Sequence, residues 1–198
     1  MPRCPDAMNE QTEPPLFPSP LRLDRSFELD AARLQVADWP GRAGPLVCLP
    51  SLGGVGRDFD ALAARVSPSW RVLALDLRGR GGSTGAGSAI GYQVHVADSV
   101  ALLEQLGVEQ GVVLGVGFGA LVAALLAAWH PALVGGLVLV DADEPAVVPA
   151  DLRVLRDATP RFDRVARAIR CPTLLVPIGT DPVSAVPGWL ESESAALD

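Results

Sequence analysis

From about residue 46 onward, short apolar runs alternate with amphipathic segments. The runs at 46–49 (LVCL), 72–75 (VLAL), 112–114 (VVL), 137–140 (LVLV) and 173–176 (TLLV) have the length and aliphatic content of strands buried on both faces. Between them lie helical patterns. In 58–66 the residues Phe59, Leu62 and Val66 share a helix face, and in 94–106 Val96, Val100, Leu103 and Leu106 do so before Gly107 stops the pattern. Residues 118–129 form a third predicted helix, and 151–169 a mostly helical segment interrupted near Pro160. Two short strands, 27–29 and 33–37 with a turn at 30–32, precede the alternation, and residues 79–91 form a Gly/Ser-rich loop. The tail from Asp181 reads as polar, with a short helix at its end. Strand–helix alternation predicts an α/β fold: a mainly parallel, doubly wound sheet with helices on both faces and right-handed crossovers. Residues 1–20 hold six prolines and predict a mobile Pro-rich arm; residues 21–198 predict a single domain.

Composition narrows the classes. The chain has 198 residues and is 49% hydrophobic but only 5% aromatic, so it can form an aliphatic core for one domain. The net charge of −7 argues against nucleic acid as a partner. All 16 basic residues are arginine, which excludes a lysine Schiff base and a Walker-A lysine. Two histidines, His95 and His130, are too few for a multi-histidine metal site, and no cofactor is expected. Cys4, Cys48 and Cys171 are widely spaced and odd in number, which predicts reduced thiols and a cytoplasmic protein. The first twenty residues contain no apolar signal-peptide core. No charged residue occurs from Gln110 to Val140, but Gly115, Gly117, Gly119, Pro131, Gly135 and Gly136 break the run. It predicts strand, tight turn, helix, loop and strand rather than a membrane span.

In an open α/β sheet, ligands sit outside the carboxyl ends of the strands. Segments 50–56, 76–83, 115–119, 141–144 and 179–181 should gather there. The central one is VVLGVGFGA at 112–120, a strand, a glycine-laced turn and a helix with no spare residues. Here the chain resembles the α/β-hydrolase superfamily, whose nucleophile elbow is G-x-S-x-G. Gly115 and Gly119 match the flanking glycines, and Gly117 holds the serine position. DLRGRGGS at 76–83 is similar to the family's loop after strand four, LVCLPSLGG at 46–54 to its third strand and oxyanion loop, and CPTLLV at 171–176 to its seventh strand. The resemblance covers about residues 25–181 and implies a hydrolase fold with an oxyanion hole. Its backbone donors would be Leu52 and Phe118, in a cleft lined by Pro50, Ser51, Gly115 and Gly119.

The departures bear on chemistry. Gly117 carries no side chain and cannot form a covalent intermediate. Pro50 and Ser51 replace the family's His-Gly. No histidine lies beyond His130, so the late catalytic histidine and the last strand are expected to be missing, and the spacing leaves no sizeable cap. Asp181 resembles the triad acid, with Asp141 as the other surviving acid. His130, at the far end of a predicted helix, lies roughly 15 Å from the elbow. His95 opens a helix, and both histidines are expected at surfaces or helix ends. Glycine adopts freely the strained backbone that a nucleophile endures in this turn, so its presence removes function and relieves strain together.

These features predict a hydrolase-like pseudoenzyme that binds a small molecule or a protein. An active esterase with a non-standard or partner-completed site is the alternative. A third reading takes Gly115, Val116, Gly117, Phe118, Gly119 and Ala120 as G-x-G-x-x-A with Asp141 about twenty residues on, a dinucleotide fingerprint. Arg153, Arg156, Arg161, Arg164, Arg167 and Arg170 read as a solvated helix face, and Ser51 and Ser83 as turn residues. With no eighth strand, Thr173–Val176 would be an open apolar edge, predicting a homodimer or a docked protein partner. No membrane association is expected.

Overall fold

The computed structural model describes residues 21–29, 32–85, 91–141, 165, 167–177 and 180–197. Seven strands form one sheet: β1 Leu23–Leu29, β2 Ala32–Trp39, β3 Ala43–Leu49, β4 Trp70–Leu75, β5 Gly111–Val116, β6 Val134–Val140 and β7 Thr173–Val176. Their spatial order is β1-β2-β4-β3-β5-β6-β7. The first two strands run antiparallel, and every pairing from β4 to β7 is parallel. The helices are α1 Asp60–Val66, preceded by a 3-10 turn at Gly56–Phe59, α2 Tyr92–Gln105, α3 Phe118–Trp129 and α4 Pro182–Leu197.

Two apolar layers sandwich the sheet. One holds Val113, Leu137 and Leu139 with residues of α2 and α3; the other holds Leu114, Val138 and Val140 with residues of α1 and α4. Alternate residues of β5 and β6 thus enter opposite layers, as strands buried on both faces require. Helix α3 has no polar side chain between Phe118 and Trp129, because it lies against the sheet on one side and α2 on the other. This is the strand–turn–helix expected of the uncharged run. No helix among the described residues is long and apolar enough to cross a membrane.

Several expectations change. Six of the seven strands extend one to four residues beyond their predicted apolar centres at one end or both, since ladder pairing continues past them. Strand β7 was expected to be buried, but only Val176 is; Leu175 is 64% exposed, because β7 pairs with β6 alone among the described strands. The tail expected to be polar is the 16-residue α4, which inserts Val186 and Leu190 fully into the core. Asp181 caps it and Pro182 opens it, a start signal that Pro187 in the interior obscured. The predicted segment 151–169 and the arm 1–20 lie outside the described residues, apart from 165 and 167–169. Of the arginine stripe, Arg167 and Arg170 are described, and both are exposed.

The antiparallel margin is fastened by charge. Asp38, 4% exposed on β2, accepts from Arg71 Nε at 3.0 Å, Arg71 Nη2 at 2.8 Å and Arg25 Nη1 at 3.0 Å. Burial opposes the Asp38 carboxylate, but the hydrogen bonds and charges of Arg71 and Arg25 outweigh it and hold its pKa below the usual value. Removing one member of a buried pair strands the others. Asp38→Ala should therefore lower stability by about 2 kcal/mol, the low side for buried pairs because both guanidiniums keep contact with water. The shift in urea midpoint at neutral pH measures it.

Candidate active site

The carboxyl ends of β3, β5 and β6 meet in the order of the sheet. Val116 pairs with Val140, and the Gly117 N–H donates to the Val140 carbonyl at 2.9 Å, so Gly117 and Asp141 follow neighbouring strands. On the other side β3 delivers Pro50 and Ser51 beside the same turn. The turn is shaped by contact. A Cβ on Gly115 would lie 2.2 Å from the Gly119 carbonyl oxygen, and one on Gly119 would lie 2.2 Å from that of Leu49. No larger residue fits either place. Gly117 differs: a Cβ there would meet only Ser51 Cβ, at an ordinary 3.6 Å. Its backbone, φ 52 and ψ −112, is one that L side chains rarely adopt. The strained turn is therefore kept, with an open space where the side chain would stand.

Around that space several groups lack partners. Among the described residues, neither the Leu52 nor the Phe118 N–H donates to another group. The Phe118 N–H opens α3 and adds the positive end of a 12-residue helix. The half-buried Ser51 has no hydrogen bond from its hydroxyl. Asp141 also has positive φ, 54, and its buried Oδ1 has no partner. Pro50 is buried beside them.

The remaining candidates stand elsewhere. Asp181 uses Oδ1 to accept from the Val183 N–H at 3.0 Å and Oδ2 to accept from the Ser184 hydroxyl at 3.0 Å. Both oxygens thus take part in capping α4. Asp76 accepts from the Gly56 N–H at 2.6 Å and the Gly82 N–H at 2.7 Å, pinning the 76–83 loop beneath the 3-10 turn. Ser83 is a turn residue as expected, joining the Asp76 carbonyl at 2.7 Å to the Gln35 N–H at 2.8 Å. His130 ends α3, away from the elbow. Cys48 lies fully buried in β3, where desolvation raises its thiol pKa. Cavities of about 630 Å³, at the amino ends of β3 and β5, and about 330 Å³, beside Asp76, both exclude Gly117. The elbow space is a notch rather than either of these cavities. No cluster of metal-ligating side chains exists among the described residues.

His95 is a correction. Expected at the surface, it is 2% exposed, edge-on to Phe118 with ring centroids 5.3 Å apart, and both its nitrogens lack partners. Tyr92 stacks on the same phenyl ring at 4.7 Å. Helix α2 turns this face inward because Tyr92 and Ser99, one turn before and one turn after His95, are buried with it. Arg78 Nε donates to Asp98 at 2.8 Å nearby, tying the 76–83 loop to α2.

The comparisons with known proteins agree with this geometry. The family described as the alpha/beta hydrolase fold matches residues 44–194. The chain belongs to the α/β-hydrolase family. A 3-hydroxybutyrate-oligomer hydrolase of Cupriavidus necator is 35% identical over 122 residues, covering 60% of this chain. The chain spans 41% of that relative's length. Epoxide Hydrolase A from Mycobacterium thermoresistibile is similar at 27% identity and a TM-score of 0.55, over 60% of this chain and 39% of that one. A membrane phospholipase A, described as a bacterial virulence factor, shares the fold with a TM-score of 0.71 at 21% identity, over 82% of this chain and 71% of that one.

Burial lowers the His95 pKa from 6.5 to about 4, with the charges of Arg78 and Arg80 adding to it and Asp98 opposing. The unfolded chain therefore takes up a proton below pH 6.5 that the folded chain refuses until about pH 4. The stability this neutral ring permits is complete above pH 6.5 and falls as pH drops through the window. Between pH 6.5 and 5 the loss should reach about 2 kcal/mol. His95→Leu should flatten that part of the profile, read from urea unfolding at both pH values. Equal slopes in both proteins would show that His95 does not cause it.

Proposed function

We propose that this α/β-hydrolase-family chain has lost covalent hydrolase chemistry and uses the elbow cleft to bind a small molecule. Gly117 carries this reading: the turn keeps its strained conformation and its room for a side chain, but provides no nucleophile. The ligand presents a carbonyl or carboxylate oxygen to the unused N–H groups of Leu52 and Phe118, which donate whatever the elbow side chain is. The Cupriavidus relative, named for hydrolysing 3-hydroxybutyrate oligomers, supports acyl compounds as the ligand class.

Turnover of a short-chain p-nitrophenyl ester tests this. The protein as it stands should show no rate above buffer. The Gly117→Ser variant measures what else survives: turnover there would mean that a working base is within reach of the new hydroxyl. Turnover by the Gly117 form itself, abolished by Ser51→Ala, would overturn the reading in favour of an active esterase with a non-standard nucleophile.

The exposed Leu175 on β7 supports a second, independent element of the proposal, pairing of this edge with a second copy of the chain. Light scattering over a hundredfold concentration range should show a dimer that Leu175→Arg dissociates. A monomer throughout would remove it.

A further inference from the structure

Helix α2 packs on α3 and on β1, and α3 in turn packs on the sheet. The first turn of α2, Tyr92 to His95, faces Phe118, the residue after Gly117. The Tyr92 ring stacks on the phenyl ring at 4.7 Å, and the His95 ring meets it edge-on at 5.3 Å. The backbone of this turn is weakly closed. No side chain caps it at Gly91, no acidic residue stands in it, and the His95 N–H reaches the Gly91 carbonyl only at 3.4 Å. One turn on, the Ser99 hydroxyl donates to the His95 carbonyl at 2.8 Å, a back-bond of the kind that bends helices. From Asp98 onward α2 is anchored: Asp98 accepts from Arg78, and Leu102 and Leu103 are fully buried. The segment between His95 and Asp98 is therefore a natural hinge.

The turn can stay docked only while His95 is neutral. The ring is 2% exposed and neither nitrogen has a partner. A protonated ring would bring two N–H donors and a full charge into that place. Asp98 of α2 attracts such a cation, but it already accepts from Arg78; Arg78 and Arg80, from the loop after β4, repel it. The positive end of the α2 dipole adds to the repulsion. Helix α3 presents no charged side chain between Phe118 and Trp129. On β1 the charged Glu28 meets the far end of α2, where Gln105 donates to its carbonyl at 3.2 Å. We propose that the first turn of α2 is an acid-released latch on the elbow: protonation of His95 lifts Tyr92 and His95 away from Phe118, hinging before Asp98, while the sheet and the rest of α2 stay in place. Release moves the charge into water and uncovers the phenyl ring at the start of α3. The elbow is held on its α2 side when His95 is neutral and let go in acid, whatever the cleft binds.

Tyr92 is the one tyrosine of the chain, so ring-labelled tyrosine gives a single NMR report on the stack. At neutral pH its ring protons should lie upfield, under the ring current of Phe118. Below pH 6.5 the ratio of released to docked turn should rise about tenfold per pH unit, the limit for uptake of one proton. By about pH 4 the signals should reach the position of unstacked tyrosine. The indole signals of the buried Trp39 and Trp70 should keep their folded positions throughout. His95→Leu, which takes up no proton, should hold Tyr92 upfield over the whole interval. In the unaltered chain the His95 ring carbons, told from those of His130 by His130→Asn, should report protonation over the same interval in which Tyr92 moves. That readout does not require the leucine variant to fold. Any of four results would overturn the latch: Tyr92 staying upfield to pH 4, Tyr92 moving together with the tryptophans, the same transition in His95→Leu, or protonation of His95 without movement of Tyr92.

Discussion

The site depends on how closely helix α3 approaches the ends of β3 and β5. That approach is steric in origin. At Gly115 and Gly119 the backbones come within a distance that a single added carbon would violate. Because they touch, the turn between strand and helix has no slack, and residue 117 is driven to positive φ. The same contact sets the carbonyl groups of Leu49 and Pro50 against Gly119 at the start of α3. A helix packed a few ångströms further out would give an ordinary βα loop with no notch.

The surroundings hold this contact in place. Asp76, gripped by two N–H groups, fixes the loop after β4 beneath the 3-10 turn. The Arg78–Asp98 pair ties that loop to α2. Helix α2 in turn presses Tyr92 and His95 against Phe118, the first residue of α3. Polar residues thus serve as fasteners, and His95 is tolerated in the apolar layer only in its neutral form. The elbow is therefore rigid for reasons separate from catalysis. A turn held by packing needs no particular side chain at residue 117, where an added Cβ would meet only Ser51 Cβ.

The fold and the glycine turn between β5 and α3 were legible in the sequence; the surroundings of several residues were not. Buried parallel strands announce themselves as apolar runs, and α3 was bounded to the residue because a glycine turn precedes it and a histidine ends it. Helix α4 was underestimated because Pro187 interrupts a pattern whose apolar residues, Val183, Val186 and Leu190, still recur at helical spacing. Asp181, which resembles a catalytic acid by position, also caps a helix, accepting one hydrogen bond at each oxygen. Its local signal, an acid followed by proline and two turns of helix-compatible sequence, was that of a cap. His95 shares its helix face with the buried Tyr92 and Ser99, and polarity alone argued for the surface.

By itself the sequence determined the order of the elements, the parallel sheet, the elbow and the absence of a nucleophile at residue 117. Those follow from local patterning, from residue chemistry, and from glycines that only a tight turn demands. Tertiary structure alone decided which groups are left without partners. Whether an aspartate is spent on a helix cap, a loop or nothing depends on what arrives from distant parts of the chain. Asp76, Asp141 and Asp181 each follow a strand of the same sheet and read alike in one dimension. Three-dimensional packing satisfies two of them and leaves the buried Oδ1 of Asp141 without a partner. Hydrogen-bond satisfaction is a long-range property of the fold, and that is where the chemistry of this cleft is set.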